Sequence, residues 1–150
     1  MAQNGIKESI CIKTQHGIKH ISKKDIIHFT EGLLGFTEYT DFVFFDIKDC
    51  EPFKSMLSVV EGGPDFIVVD PISIIEDYSP LDYFSSSEEL DIGDPVELVV
   101  LSIVTLAEEP ENSTVNLRGP LFVNLSSKLA RQIVLPDDKH SSKSPLMVKK

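Results

Sequence analysis

Apolar residues along this chain come in short runs separated by polar, glycine or proline positions, and few of them follow helical spacing. The longest run is Leu98–Ala107, ten uncharged residues rich in β-branched types, with Glu97 before it and Glu108, Glu109 and Pro110 after it. Charge at both ends and none within predicts a strand buried on both faces. The following stretch, Asn112–Leu125, is also strand-like but is broken by Gly119-Pro120. It predicts two short strands with a bend or bulge between them, folded back on a central strand at 98–107.

The remaining runs are shorter. Ile6–Lys13 and His16–Ile21 read as strands joined by a turn at Gln15-His16-Gly17, and Ile26–Phe29 as a third. Phe29–Phe36 has two leucines between Gly32 and Gly35, which predicts a tight, partly buried loop. Asp41–Asp46 is a strand between acids. A further strand within Pro52–Glu61 turns through Gly62-Gly63-Pro64 and returns as Phe66–Asp70, a hairpin ended by Pro71. Ser86 and Glu89 fit a capping box for a helix of a couple of turns, stopped at Gly93. Ala130–Leu135 is the last strand before Pro136. Many short strands with one brief helix argue for an antiparallel β-barrel or sandwich.

Composition narrows this picture. A chain of 150 residues with 41% apolar content can bury roughly 70% of its unfolded surface, so one domain needs neither disulfide nor metal to hold it. The first nine residues lack the basic start and long apolar run of an export signal, and the run from Leu98 is too short to span a membrane. A cytoplasmic protein is expected, with Cys11 and Cys50 as free thiols. Charge is uneven. Ser55–Leu117 carries fourteen acids and no Lys, Arg or His, whereas Arg118–Lys150 is net basic, within a total of −10. The acidic block either solvates the surface or steers a basic protein partner, and it is a poor match for nucleic acid.

Little in the sequence points to catalysis. His16 and His20 share a strand face, with Cys11 and His28 nearby, but no metal-ligand spacing is present, and exposed histidines are the plainer reading. There is no nucleophile elbow, Walker loop or dinucleotide fingerprint. Adjacent acids such as Glu76-Asp77 and Glu108-Glu109 would point to opposite faces of a strand rather than form a dyad. Asn112-Ser113-Thr114 and Asn124-Leu125-Ser126 match the glycosylation sequon by chance. Asp70-Pro71 reads as a strand-ending turn, and Arg118 as half of a partly buried ion pair with one of the acids of the block.

The segments Phe29–Phe36, Phe66–Pro71, Leu98–Thr105, Thr114–Asn124 and Gln132–Leu135, in this order and spacing, resemble the flagellar assembly factor FliW family. The family usually closes with an Arg-x-Pro-like element, where this chain has Lys143-Ser144-Pro145-Leu146. The resemblance implies a mainly β fold: a small antiparallel β-barrel-like single domain over 1–138 with one or two short helices. The Ser- and Lys-rich residues 139–150 read as a flexible basic tail, whose Pro145–Val148 stretch is apolar enough to dock. The resemblance implies no catalytic activity, no cofactor and no metal. It also implies two protein partners, the RNA-binding translational repressor CsrA and flagellin. Flagellin held by such a protein leaves the repressor free to block flagellin translation, and export of flagellin turns the protein to the repressor.

The residues suggest where partners would sit. Flagellin's amphipathic terminal helices need an apolar groove. Leu33, Leu34 and Phe36, or the turn at Asp70, Pro71, Ile72 and Ile74, are the candidates for one. Glu88, Glu89 and Asp91 are the candidates for meeting the basic repressor, with Asn116 and Arg118 as further contacts. The competing expectation is a small OB-like barrel that binds nucleic acid. That reading needs basic and aromatic residues interleaved on one face, and Ser55–Leu117 has no bases at all.

Overall fold

The computed structural model describes residues 9–14, 17–80, 98–136 and 139–146. Period-two alternation of large apolar residues is what builds it. In β3 (Ile27–Phe29), β4 (Asp41–Asp46), β5 (Lys54–Ser58), β6 (Asp65–Val69), β7 (Leu98–Thr105), β9 (Leu121–Asn124) and β10 (Leu129–Gln132), every second side chain points into one core. That core holds Ile27, Phe29, Phe42, Met56, Val68, Leu101, Leu121, Val123 and Ala130, plugged by Leu33 from the β3–β4 loop. The sheet curls until β7 pairs with β9, which closes a seven-stranded barrel in the order β3-β4-β5-β6-β7-β9-β10. All pairings but one are antiparallel. The exception joins β10 to β3, with Leu129 opposite His28 and Ala130 opposite Phe29.

β7 is the long strand expected at 98–107, and both of its faces are covered. Leu101 lies in the barrel core, while Val104, on the alternate face, packs with Val69, Tyr78, Val115, Leu117 and Leu135. The break at Gly119-Pro120 does divide the next segment. β8 (Thr114–Val115) pairs with the far end of β7 at Thr105 and Val104, and β9 pairs with it from Leu101 to Leu98. The chain swings out between them at 117–119.

Two additions sit on the barrel. The predicted hairpin forms from β1 (Ser9–Thr14) and β2 (Gly17–Ser22), and seats Ile12 and Ile21 against Val43 and Leu57 on the outside of β4 and β5. Near the other end of the chain, β11 (Ser144–Pro145) pairs with β8, and Leu146 packs beside Leu117 and Tyr78. The apolar part of the 139–150 segment is therefore docked as far as Leu146. Helix is scarce among the described residues: the 3-10 turns that lie wholly within them are Lys23–Asp25, Pro71–Ser73 and Pro110–Asn112. The helix expected from Ser86 lies outside the described residues. No helix among the described residues is long and apolar enough to cross a membrane.

Candidate functional site

Strand directions decide which loops meet. β3 ends where β4 begins, β5 ends where β6 begins, and the antiparallel β6–β7 register, with Ile67 opposite Val104, brings the end of β7 to that same rim. β10, parallel to β3, ends there too. One end of the barrel thus gathers the 30–40 loop, the 59–64 turn, the 106–113 loop, the 116–120 turn and the segment after Gln132. It also gathers most of the exposed apolar bulk. Leu34 is 64% exposed, Phe36 38%, Val60 53%, Leu106 60% and Val134 49%, which is five of the eight large apolar side chains exposed among the described residues. The same loops carry acids. Glu61, Glu108, Glu109 and Glu111 are exposed, and none makes an ion pair among the described residues.

The 30–40 loop is held from beneath. Gly32 takes φ +68, and a Cβ there would lie 2.7 Å from the Thr37 backbone, so only glycine lets the loop fold this tightly. The Phe36 amide donates to the Leu33 carbonyl at 2.8 Å, and the Phe36 ring stands edge-on to Phe66 at 5.3 Å, covering the barrel mouth. The Leu34 amide donates to Gln132 Oε1 at 3.0 Å, while Gln132 Nε2 donates to the Gly119 carbonyl at 2.9 Å. On the other side of that turn, Asn116 Oδ1 accepts from the amides of Arg118 at 3.1 Å and Gly119 at 2.8 Å. A single glutamine therefore fixes the Leu34 loop to the Asn116–Gly119 turn. Gln132→Ala removes both bonds, and we expect it to lower stability by about 1–2 kcal/mol and speed amide exchange at Leu34. Hydrogen exchange on the variant checks both.

The sequence-derived candidates divide as follows. Leu34, Phe36, Asn116 and Arg118 meet at this end. Leu33 does not face outward. It is 1% exposed and belongs to the core, because the turn that exposes Leu34 points its neighbour inward. The Asp70–Ile74 turn leaves from the opposite end of the barrel. There Asp70 Oδ1 accepts from the Ile72 amide at 2.9 Å and caps the 3-10 turn, Pro71 is buried, and Ile74 packs on the cluster outside β7. Of that group only Ile72 is exposed as an apolar side chain, at 47%. Glu88, Glu89 and Asp91 lie outside the described residues. Arg118 is half-buried and forms no ion pair with any described acid; its amide donates to Asn116 Oδ1.

Sequence reasoning did not single out Gln132 or Tyr78. A polar Arg131-Gln132 pair between apolar residues was the available signal for the first. Tyr78 anchors the segment that crosses the outside of β7: its hydroxyl donates to the Leu117 carbonyl at 2.6 Å. Burial pushes this phenol from 10.0 up to about 12, and the nearby Ser102 hydroxyl opposes the shift only in part. Ser102 Oγ itself is buried and makes no hydrogen bond among the described residues, so burial dominates the shift. A phenol whose pKa is raised on folding favours the native state while neutral. That contribution is complete below about pH 10 and is lost as pH rises toward about 12. Urea unfolding across this window should show the loss, and Tyr78→Phe should flatten it.

Among the described residues no group of three His, Cys, Asp or Glu side chains is placed to hold a metal. His28 Nδ1 instead meets Asp41 Oδ1 at 2.7 Å. The loops at this barrel end therefore offer contact surface that carries both exposed apolar side chains and exposed carboxylates.

The FliW protein family model matches residues 10–146. Flagellar assembly factor FliW of Clostridium novyi (strain NT) is 40% identical over 131 residues, 87% of this chain and 92% of that protein. The chain belongs to the FliW family of flagellar assembly factors. Flagellar assembly factor FliW of Bacillus subtilis (strain 168) is 37% identical over 132 residues, again 87% of this chain and 92% of the relative. A crystal structure of the flagellar assembly factor FliW matches the fold with a TM-score of 0.81 at 27% identity, covering 95% of this chain and 99% of that one. The closed barrel with its outer hairpin is thus the FliW architecture.

Proposed function

We propose that this protein is a cytoplasmic partner-exchange regulator of flagellar assembly. It binds the translational repressor CsrA and antagonises it, binds flagellin, and so couples flagellin synthesis to export. No bond is made or broken in this cycle. The outcome follows from which partner is present and how tightly each is held.

The observation that carries the reading is the barrel end where Leu34, Phe36, Val60 and Leu106 are exposed among unpaired carboxylates. Exposed apolar side chains held on a rigid rim suit the apolar face of an amphipathic helix, as flagellin termini supply. The carboxylates suit a basic protein such as an RNA-binding repressor. If the two partners' surfaces overlap at this end, exclusion of one by the other needs no conformational change.

Mixing purified protein with CsrA, flagellin and RNA, separately and in competition, tests the reading. Recovery of both proteins, each displacing the other, is expected. Recovery of RNA alone would establish the OB-like alternative instead. Reversing charge at Glu108, Glu109 and Glu111 should slow CsrA association and flatten its dependence on salt, leaving dissociation nearly unchanged. The same measurement with Glu88, Glu89 and Asp91 reversed tells which part of the acidic block steers. Stopped-flow association rates at two ionic strengths suffice for both sets.

A further inference from the structure

The outer face of the β1–β2 hairpin carries a second kind of chemistry. Cys11 and His20 are direct cross-strand partners, and Cys11 Sγ lies 3.1 Å from His20 Nδ1. Both are exposed. Period-two alternation puts Lys13 on the same face as Cys11, while Ile12 and Ile21 on the other face pin the hairpin to β4 and β5. The pair is therefore held on a packed ribbon rather than on a loose end. Cys50 supplies a contrast within the same chain. It is also exposed, but among the described residues only its backbone makes hydrogen bonds.

We propose that Cys11 is a thiol-exchange site, activated by His20, that takes up low-molecular-weight disulfides. His20 Nδ1 accepts the Cys11 proton as Sγ attacks one sulfur of the disulfide. A new Sγ–S bond forms and the original S–S bond breaks. The departing thiolate takes the proton back from the imidazolium, so one thiol and one disulfide become one mixed disulfide and one free thiol. Lys13 adds positive charge where an anionic disulfide would approach. Because Cys11 faces solvent, the adduct changes the hairpin surface without entering the core. The reaction is independent of the protein-binding role proposed above.

Two single-cysteine variants test it, Cys50→Ser keeping Cys11 and Cys11→Ser keeping Cys50. Each reacts with 5,5′-dithiobis(2-nitrobenzoate) from pH 6 to 9, and with oxidised glutathione followed by mass spectrometry. At pH 7 the Cys11 protein should react at least several-fold faster. Its rate should fall gently with decreasing pH, where an unassisted thiol loses about tenfold per unit. His20→Gln in the Cys50→Ser background should restore the steep decline, and circular dichroism should show the fold unchanged. Equal rates for the two cysteines, or a pH profile untouched by His20→Gln, would overturn the proposal.

Discussion

Phe42→Ala is expected to cost about 3–5 kcal/mol of folding stability, the largest effect of any single truncation in this barrel. Phe42 is fully buried and sits edge-on to Phe29 with ring centroids 5.5 Å apart, and it also contacts Phe66 at 6.2 Å. Removing the ring takes away its own transfer energy, two aromatic contacts and the filling of the barrel's middle layer. Seven strands closed around one core leave the neighbours little freedom to collapse into the gap. A domain of this size has only about 5–15 kcal/mol in total, so the variant should melt well below the parent or fail to accumulate folded. Thermal and urea unfolding measure it. The effect should reach partner binding as well, because Phe66 carries the ring of Phe36 that covers the barrel mouth.

Leu34→Asp is the sharpest functional test. We expect flagellin affinity to fall by at least about 2 kcal/mol, roughly 30-fold in Kd, with the fold unaffected. Leu34 is 64% exposed, so the barrel loses almost no internal packing when it is replaced. Its amide remains bonded to Gln132, so the loop keeps its shape. A carboxylate in place of an apolar anchor must be desolvated without a partner when an amphipathic helix docks, and it adds to negative charge already present at this rim. Isothermal titration with flagellin reads the result. Unchanged affinity with an unchanged melting temperature would remove the 30–40 loop from the flagellin surface.

Much of the architecture was legible in the sequence, and the reason is local. The short apolar runs Phe42–Phe45 between acids and Phe66–Val69 before Asp70-Pro71, and the glycine pair between β5 and β6, each specify a strand or a turn without reference to the rest of the chain. The bend at Gly119-Pro120 announced itself in the same way. Closure was less legible. Nothing within Leu129–Gln132 says that it runs parallel to Ile27–Phe29, because that pairing joins residues about a hundred positions apart and depends on the curl of the whole sheet. The candidate surface shared this difficulty. Leu34 and Arg118 could each be named, but their meeting depends on Gln132, whose two bonds exist only after the barrel closes. Leu33, Pro71 and Ile74 prove to be covered by their own chain, and the reason is related: apolar character alone does not distinguish a residue that waits for a partner from one already packed. The ion pair expected for Arg118 is not made with any described acid, and six of the fourteen acids it could have met lie outside the described residues.

The single parallel pairing has a consequence for biosynthesis. β3 emerges from the ribosome early, and the strand that covers its second edge is among the last to appear. Until Leu129–Gln132 is made, the growing polypeptide is an open, curling ribbon with a bare flank, and it is then most exposed to sticking to its neighbours. Translation pauses or premature stops shortly before that point should therefore send this protein to chaperones or proteases.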